Sequence, residues 1–203
     1  MKNLTESLNT LREIKDIAFA TVDAGGNPQV RIVDVMMVSE DALYFCTARG
    51  KDFYLELISS GKVAAVAMTE NWEMIRLSGR AVRLDEQKKW IDRIFDNNPA
   101  MLDVYPGDTR YILEAFCIRS GSIEVFDLSS HPICRRTYSL GGGEIKDKGF
   151  VVNSNDCISC GICAEKCPQS SIIMKEKAFI VQEHCLHCGL CSEVCPSEAI
   201  KRR

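Results

Sequence analysis

Eight of the chain's eleven cysteines stand in two runs, "CISCGICAEKCP" at 157–168 and "CLHCGLCSEVCP" at 185–196. Each run spaces three thiols by two residues, adds a fourth after three more, and follows it at once with proline. From Cys157 to Cys185 is a period of 28 residues, so the segment is a tandem repeat. A cubane iron-sulfur cluster needs thiolates converging from several directions. Two-residue spacers let one loop wrap three sulfurs around a cube, and the fourth must arrive from elsewhere. The run Cys-x2-Cys-x2-Cys-x3-Cys-Pro meets that need by sending its last cysteine to the neighbouring cluster. On this pattern Cys157, Cys160, Cys163 and Cys195 hold one 4Fe-4S cluster, while Cys185, Cys188, Cys191 and Cys167 hold the other. Pro168 and Pro196 turn the chain after each fourth ligand. Paired Cys-x2-Cys motifs also bind zinc, but zinc has no use for three evenly spaced thiols plus Cys-Pro in both halves. His184 and His187 stand beside the second set, where imidazole replaces thiolate in some centres; with the thiols complete they are expected to be structural.

The remaining composition narrows the setting. A chain of 203 residues holds one domain and a small satellite, and 46% apolar content fills a core. The formal charge is -3 with dispersed Lys and Arg, which predicts no nucleic-acid footprint and no polybasic membrane patch. No apolar run reaches the roughly 20 residues of a membrane span, and "MKNLTESLNTLREIKD" is too polar for a signal peptide. A cytoplasmic location is expected, where so many cysteines serve metal or redox chemistry rather than disulfides.

Clusters need a customer. Two of them hold two electrons, matching the demand of one flavin, which also passes electrons singly. "DAGGNP" reads as a hairpin turn and no GxGxxG follows the first strand, so a Rossmann-type dinucleotide site is unsupported. A second constellation is more promising: Arg31 on the strand "VRIVDVM", with Thr47 and Lys51 in "YFCTARGKD" where a strand meets a helix. Two cations and a hydroxyl beside a helix N-terminus suit a phosphate dianion such as that of FMN, although strand-end cations are commonly just solvated. Cys46 and Cys117 lie in apolar strands and read as core residues. Cys134 falls in a linker. His131, the only histidine outside the cysteine repeat, is a proton donor, a haem ligand, or a linker residue with neither role. Trp72 is either a shield for a flavin face or an ordinary strand-end aromatic.

These residues require a scaffold. Leu4, Leu8, Leu11 and Ile14 form one helical face, with Asn3 and Glu6 as a capping box. "AFATVD", "QVRIVDVMMV" and "LYFCT", separated by turns at "AGGNP" and "SEDA", predict an antiparallel meander. "KDFYLELISSGK" is a helix ending near Gly61, followed by the strands "VAAVAMT" and "EMIRLSGRAVRL". "DEQKKWIDRIFDNNP" is a helix started by Asp85 and stopped before Pro99, with Trp90, Ile91, Ile94 and Phe95 on its apolar face. "YILEAFCIRSGSIEVFDL" reads as a strand pair turning at about Ser120 to Ser122. Six or so strands interrupted by two helices predict a mainly β fold, a small barrel over residues 1–128. A linker or loosely attached hairpin at 129–149 precedes the α+β cysteine repeat at 150–203.

Residues 150–203 resemble bacterial two-cluster ferredoxins, which implies low-potential one-electron transfer. Residues 10 to about 128 resemble the pyridoxamine-phosphate-oxidase-like FMN-binding split barrels: "NPQVRIVDV", "LYFCTARGKDFYLEL", "KVAAVAM" and "MIRLSGRAV" follow in that family's order. The similarity is greatest to its anaerobe branch, near the nitroimidazole-resistance-type flavoproteins. The resemblance implies a homodimer with FMN in a groove at the subunit interface. Arg31, Ile32, Val33 and Asp34 would run along the ring and ribityl chain, with Cys46, Thr47, Gly50 and Lys51 around the phosphate. Departures from the family pattern are Met36 where true pyridoxine-phosphate oxidases carry lysine, "SHPICRRTY" in place of an Arg-rich tail, and Met74 where a flavin-contacting glutamine is common. Vitamin B6 oxidation is therefore not expected. The expectation is an iron-sulfur flavoprotein of an anaerobe, with two 4Fe-4S clusters passing electrons between an external donor or acceptor such as ferredoxin and FMN, which reduces a small molecule. The alternatives are a module relaying electrons to a protein partner, or sensing redox state, and a haem-binding split barrel.

Overall fold

The computed structural model describes residues 2–203. Its chain divides into two compact units, each described by itself: Met1–Thr69, Met74–Glu124 and Thr137–Ile145 form the first, and Glu70–Glu73, Val125–Arg136 and Lys146–Arg203 the second.

The first unit is built on a curled, eight-stranded sheet, a split barrel. Helix α1 (Leu4–Ile14) opens it, with the Asn3–Glu6 capping box formed in both directions and Leu8 and Leu11 buried. Strands β1 (Asp16–Val22), β2 (Pro28–Asp34), β3 (Met37–Val38) and β4 (Leu43–Ala48) follow, then α2 (Asp52–Ser59), β5 (Lys62–Met68), β6 (Glu73–Arg83), α3 (Gln87–Asn97), β7 (Leu113–Asp127) and β8 (Cys134–Leu140). Rings of Phe19, Phe45, Phe53 and Phe116 form the core, with centroids 5.1 to 5.9 Å apart between neighbours. Helix α3 buries Ile91, Ile94 and Phe95 as its periodicity predicts, and Trp90 stacks on Tyr44 at 5.2 Å. Its first helical residue is Gln87 rather than Asp85.

The predicted meander is only partly formed. The strand order is β2-β1-β5-β6-β7-β4-β3, with β8 on β7, so β2 and β3 lie at opposite edges although three residues apart in sequence. The link is Val35–Met36. Val35 N–H donates to Lys15 O at 2.8 Å, beside β1, and Met36 N–H donates to Tyr44 O at 2.9 Å, in β4. Both side chains are buried. The chain therefore steps from one sheet edge to the other, which curls the sheet and brings β2 near β4 without pairing them. That step was invisible because "QVRIVDVMMV" reads as one uninterrupted strand.

A second difference concerns β7. The strand pair expected to turn near Ser120–Ser122 is one continuous strand of 15 residues. Gly121, at φ 153°, bends it where it crosses β6; a Cβ there would lie 2.1 Å from Ser78 O, and one on Gly79 would lie 2.5 Å from Ser120 O. Glycine at both positions permits a close crossing rather than a reversal. The segment 129–149 likewise contains strand β8.

The second unit holds the cysteine repeat: β9 (Phe150–Val152) pairs with β12 (Ile200–Arg202), and β10 (Ile172–Met174) with β11 (Ala178–Ile180), both antiparallel. Short helices α4 (Ile162–Lys166) and α5 (Leu190–Glu193) carry Cys163 and Cys191. Ile172, Ala178, Ile180 and Ile200 pack among the thiols. Among the described residues no helix is long and apolar enough to cross a membrane.

Candidate cofactor sites

The two halves of the repeat bend the backbone in the same places. Ser159 and His187 in the first spacers, Gly161 and Gly189 before the short helices, and Ser170 and Glu198 after Cys-Pro all have left-handed φ, from 49° to 87°. These bends aim the thiols inward. Cys157, Cys160, Cys163 and Cys195 line one cavity, and Cys167, Cys185, Cys188 and Cys191 line a second. Each cavity thus takes three thiols from one run and the fourth from the other, as the spacing predicts.

Amides point at the sulfurs: Ser171 N–H donates to Cys167 Sγ at 3.4 Å, Ala199 N–H to Cys195 Sγ at 3.3 Å, and His187 N–H to Cys185 Sγ at 3.4 Å. Burial, with the neighbouring Cys185 and Cys188 thiolates, pushes Cys191 up to about 11. Burial raises Cys163 as well, whereas the Ala178 and Ser159 amides lower Cys157. Four thiols set this way ionise together only around a cationic core. Three thiols of one run and a fourth from the other in each cavity fit the donor set of a 4Fe-4S cluster.

The first unit has a groove of about 640 Å³, within the roughly 300–1,000 Å³ of small-molecule sites. All eight residues anticipated from sequence line it: Arg31, Ile32, Val33 and Asp34 from β2, Cys46 and Thr47 from β4, and Gly50 and Lys51 at the start of α2. It lies where the two sheet edges meet. Thr47 carries the sharpest signal. It is 4% exposed and its Oγ1 is buried with no hydrogen-bond partner among the described residues, a state that costs about 1–3 kcal/mol unless a ligand relieves it. Lys51 is exposed and occupies the N-cap of α2, with no side-chain cap for the free amides. An anionic ligand with several acceptor oxygens, as a phosphate has, fits these donors.

Arg31 is more constrained than its sequence position implied. It pairs with the buried Glu56 carboxylate at 2.9 Å, donates to Thr21 Oγ1, and lies 4.6 Å from the Phe53 ring centroid. Thr21 in turn donates to Glu56. No spacing rule links Arg31 to Glu56; the β1–β2 register, with Phe19 opposite Arg31, and the seating of α2 bring them together. Cys46, read as core, also faces the groove; burial first, and the Asp34 carboxylate second, push its thiol up to about 12 against the pull of Lys51. Burial and Asp16 raise Asp34, opposed by Lys15 at 3.6 Å.

Met36 lines the groove where a lysine was the family expectation, and Met101, Tyr105 and Leu113 complete it. Met101 lies in the 3-10 segment Pro99–Asp103. Sequence reasoning passed over Met101 and Tyr105, whose only signal is apolar residues in a short Pro-bounded segment. Cys117 is buried in the core as expected. Trp72 is 66% exposed at a turn with φ 61°, and His131 is exposed; neither lines the groove.

The fold and the thiol sets define a pyridoxamine-phosphate-oxidase-like split barrel joined to a ferredoxin-type iron-sulfur domain. Residues 150–202 match the family model described as a 4Fe-4S dicluster domain. The chain is 30% identical over 93 residues to dihydrophenazinedicarboxylate synthase of Pseudomonas chlororaphis, covering 44% of this chain and 42% of that one. It is 36% identical over 75 residues to pyridoxine/pyridoxamine 5'-phosphate oxidase of Cereibacter sphaeroides, covering 37% and 36%. It thus spans less than half the length of these curated relatives. Among solved structures, a NimC/NimA family protein of Clostridium acetobutylicum superposes with a TM-score of 0.58 at 21% identity, over 68% of this chain and 92% of that one.

Proposed function

We propose that this protein is an iron-sulfur flavoprotein with FMN in the barrel groove and two 4Fe-4S clusters in the repeat, transferring electrons between them and reducing a small molecule. The observation that carries the reading is the orphaned Thr47 hydroxyl beside Lys51 and the uncapped amides of α2, in a chain that also carries a ferredoxin-type domain. Redox activity accords with the names of the two curated relatives, a synthase and an oxidase.

FMN, when bound, supplies a centre that exchanges electron pairs with organic molecules and single electrons with clusters. The chain's own residues bind and orient. Lys51 and the first amides of α2 neutralise phosphate, and Thr47 Oγ1–H donates to it. Arg31, held by Glu56 and Phe53, keeps a fixed donor in the groove without adding a full net charge. Ile32 and Val33 supply apolar surface, and Cys46 stays a protonated thiol. The cysteines ligate in the crossed sets described above.

Edge strand β2 leaves Val30 69% and Ile32 65% exposed. A second copy covering that strand would make the homodimer expected of such barrels and wall the groove. An external ferredoxin-like donor or acceptor completes the circuit. Stopped-flow mixing of the anaerobically reduced protein with nitro compounds and quinones tests the reading. Rapid flavin reoxidation, followed by the clusters, is expected; failure of every small acceptor leaves a relay to a protein partner as the function.

A further inference from the structure

Residues 28 apart in the repeat occupy matching places, so each half is a control for the other. Strand β10 matches β12 and β11 matches β9, which makes the two antiparallel ribbons counterparts. In the first ribbon Ile172 and Ile180 are buried among the thiols, and alternation turns the facing pair Ile173 and Phe179 outward. These two are 46% and 54% exposed. The counterpart pair is Lys201 and Val151. A lysine thus stands where the first ribbon exposes isoleucine, and a valine where it exposes phenylalanine. The ligand loops differ in the same sense: Ile158 is 63% exposed, whereas its counterpart Leu186 is half-buried. Cluster ligation does not call for the difference, since thiols and prolines match in both halves.

The outward pair is joined to one cluster site. At the ribbon's tip Lys177 Nζ donates to the Cys157 carbonyl at 2.5 Å, and Ser159 Oγ donates to the Glu176 carbonyl at 2.6 Å. Met174 and Ile158 line the cavity of Cys157, Cys160, Cys163 and Cys195, and Cys160 is itself exposed. Lys175 lies beside the pair, its Nζ 5.3 Å from the Phe179 ring centroid. Lys175, Glu176 and Lys177 give the tip a single net positive charge in a chain of formal charge -3.

We infer that the outward face of β10–β11 is the docking surface for an acidic protein that carries one electron at a time, and that it serves the cluster of Cys157, Cys160, Cys163 and Cys195. The inference deepens the electron-transfer reading above and rests on its two clusters. An exposed aromatic and aliphatic pair supplies the apolar centre such a surface needs, and lysines at its margin steer a partner of opposite sign. A second copy of the same face would bring its own lysines to that margin, so like charges oppose self-pairing. In each encounter the carrier is oxidised by one electron and the cluster reduced by one, with no bond made or broken and no proton required. The other cluster site is the poorer port. Its loops are fastened from the segment Val125–Arg136 of the same unit, where Ile133 N–H donates to Gln169 Oε1 at 3.3 Å and its carbonyl accepts from His184 Nδ1 at 2.8 Å.

The test mixes the full chain, anaerobically purified and with iron and sulfide measured, with a reduced two-cluster ferredoxin of net negative charge. Stopped-flow absorbance follows reduction of the chain's clusters at increasing carrier and increasing salt. In Ile173→Thr/Phe179→Thr, which keeps residues suited to a strand, the half-saturating carrier concentration should rise about tenfold or more. Lys175→Glu should slow association at low salt and flatten its salt dependence. Val151→Thr on the counterpart ribbon should change neither, and dithionite should reduce every variant as it does wild type. Wild-type saturation in a loaded double variant, an equal loss in Val151→Thr, or a wild-type rate that ignores salt would each overturn the inference. If the double variant loads poorly, Phe179→Val, which copies the counterpart residue, replaces it and must still weaken saturation. A wild-type oligomer that the double variant breaks, with carrier saturation unchanged, gives the face to a second copy and also overturns it. A wild type with half the iron refutes instead the two-cluster reading beneath.

Discussion

Thr47→Val separates a ligand-facing hydroxyl from a merely awkward one, because its effects on the empty and loaded barrel have opposite signs. Valine matches threonine in shape and suits strand β4, so the change removes little but the hydroxyl. In the flavin-free protein that hydroxyl is buried with no partner among the described residues, and its loss relieves part of a penalty of about 1–3 kcal/mol. The variant should therefore melt higher, by about 2–4 °C for each kcal/mol relieved. In the loaded protein the same hydroxyl is expected to donate to a charged phosphate, an interaction of about 1.5–3 kcal/mol. Its removal should weaken FMN binding about ten- to a hundredfold, at roughly 1.4 kcal/mol per decade. Thermal melts of cluster-loaded, flavin-stripped protein and an FMN fluorescence-quenching titration read the two arms separately. Wild-type affinity in Thr47→Val refutes the phosphate assignment, and a lower melting temperature refutes the claim that the hydroxyl is unsatisfied.

Three further outcomes are expected. Combining Cys195→Ser with Cys160→Ser should lose no more iron than either alone, while combining Cys195→Ser with Cys188→Ser should lose both clusters; iron analysis showing the reverse would mean that each run closes its own site. The Cys46 thiol is raised from 9.0 to about 12, so its contribution to stability is complete below pH 9 and is lost as pH rises through about 12. Denaturant titrations of flavin-stripped protein across that window should show a steeper alkaline loss for wild type than for Cys46→Ala, and parallel curves would contradict the burial of this thiol. Gly121→Ala places a Cβ 2.1 Å from Ser78 O at φ 153°, and should cost more than about 2 kcal/mol, measured as a lower urea midpoint.

The sequence disclosed these sites to different depths because their information is stored differently. A cluster site is local. Spacers of two and three residues and a following proline decide where a thiol can go, so the crossed sets were readable before any fold was known. The groove is not local. Arg31 and Lys51 were found because one stands on a recognisable strand and the other where a strand meets a helix, but their proximity depends on the chain stepping between sheet edges at Val35–Met36. Nothing in "QVRIVDVMMV", which carries no Gly or Pro, marks that step. Met101 and Tyr105 reach the groove from a segment with no periodic pattern, and Glu56 meets Arg31 only through the seating of α2. The bend at Gly121 misled for a related reason: glycine flanked by serines signals a turn, and only the facing Gly79 shows that a crossing was intended.

The same contrast bears on how a ferredoxin-type repeat is adapted to a new host. Its ligand geometry is closed within residues 150–202, leaving little freedom to tune potential by changing thiols or spacers without losing a cluster. The segment "SSHPICRRTY" departs from the Arg-rich tail of a pyridoxine-phosphate oxidase, and two of its residues are fastened to the repeat: Ile133 through Gln169 and His184, and Arg136 through Glu183. In a barrel without the repeat those residues would have none of these partners.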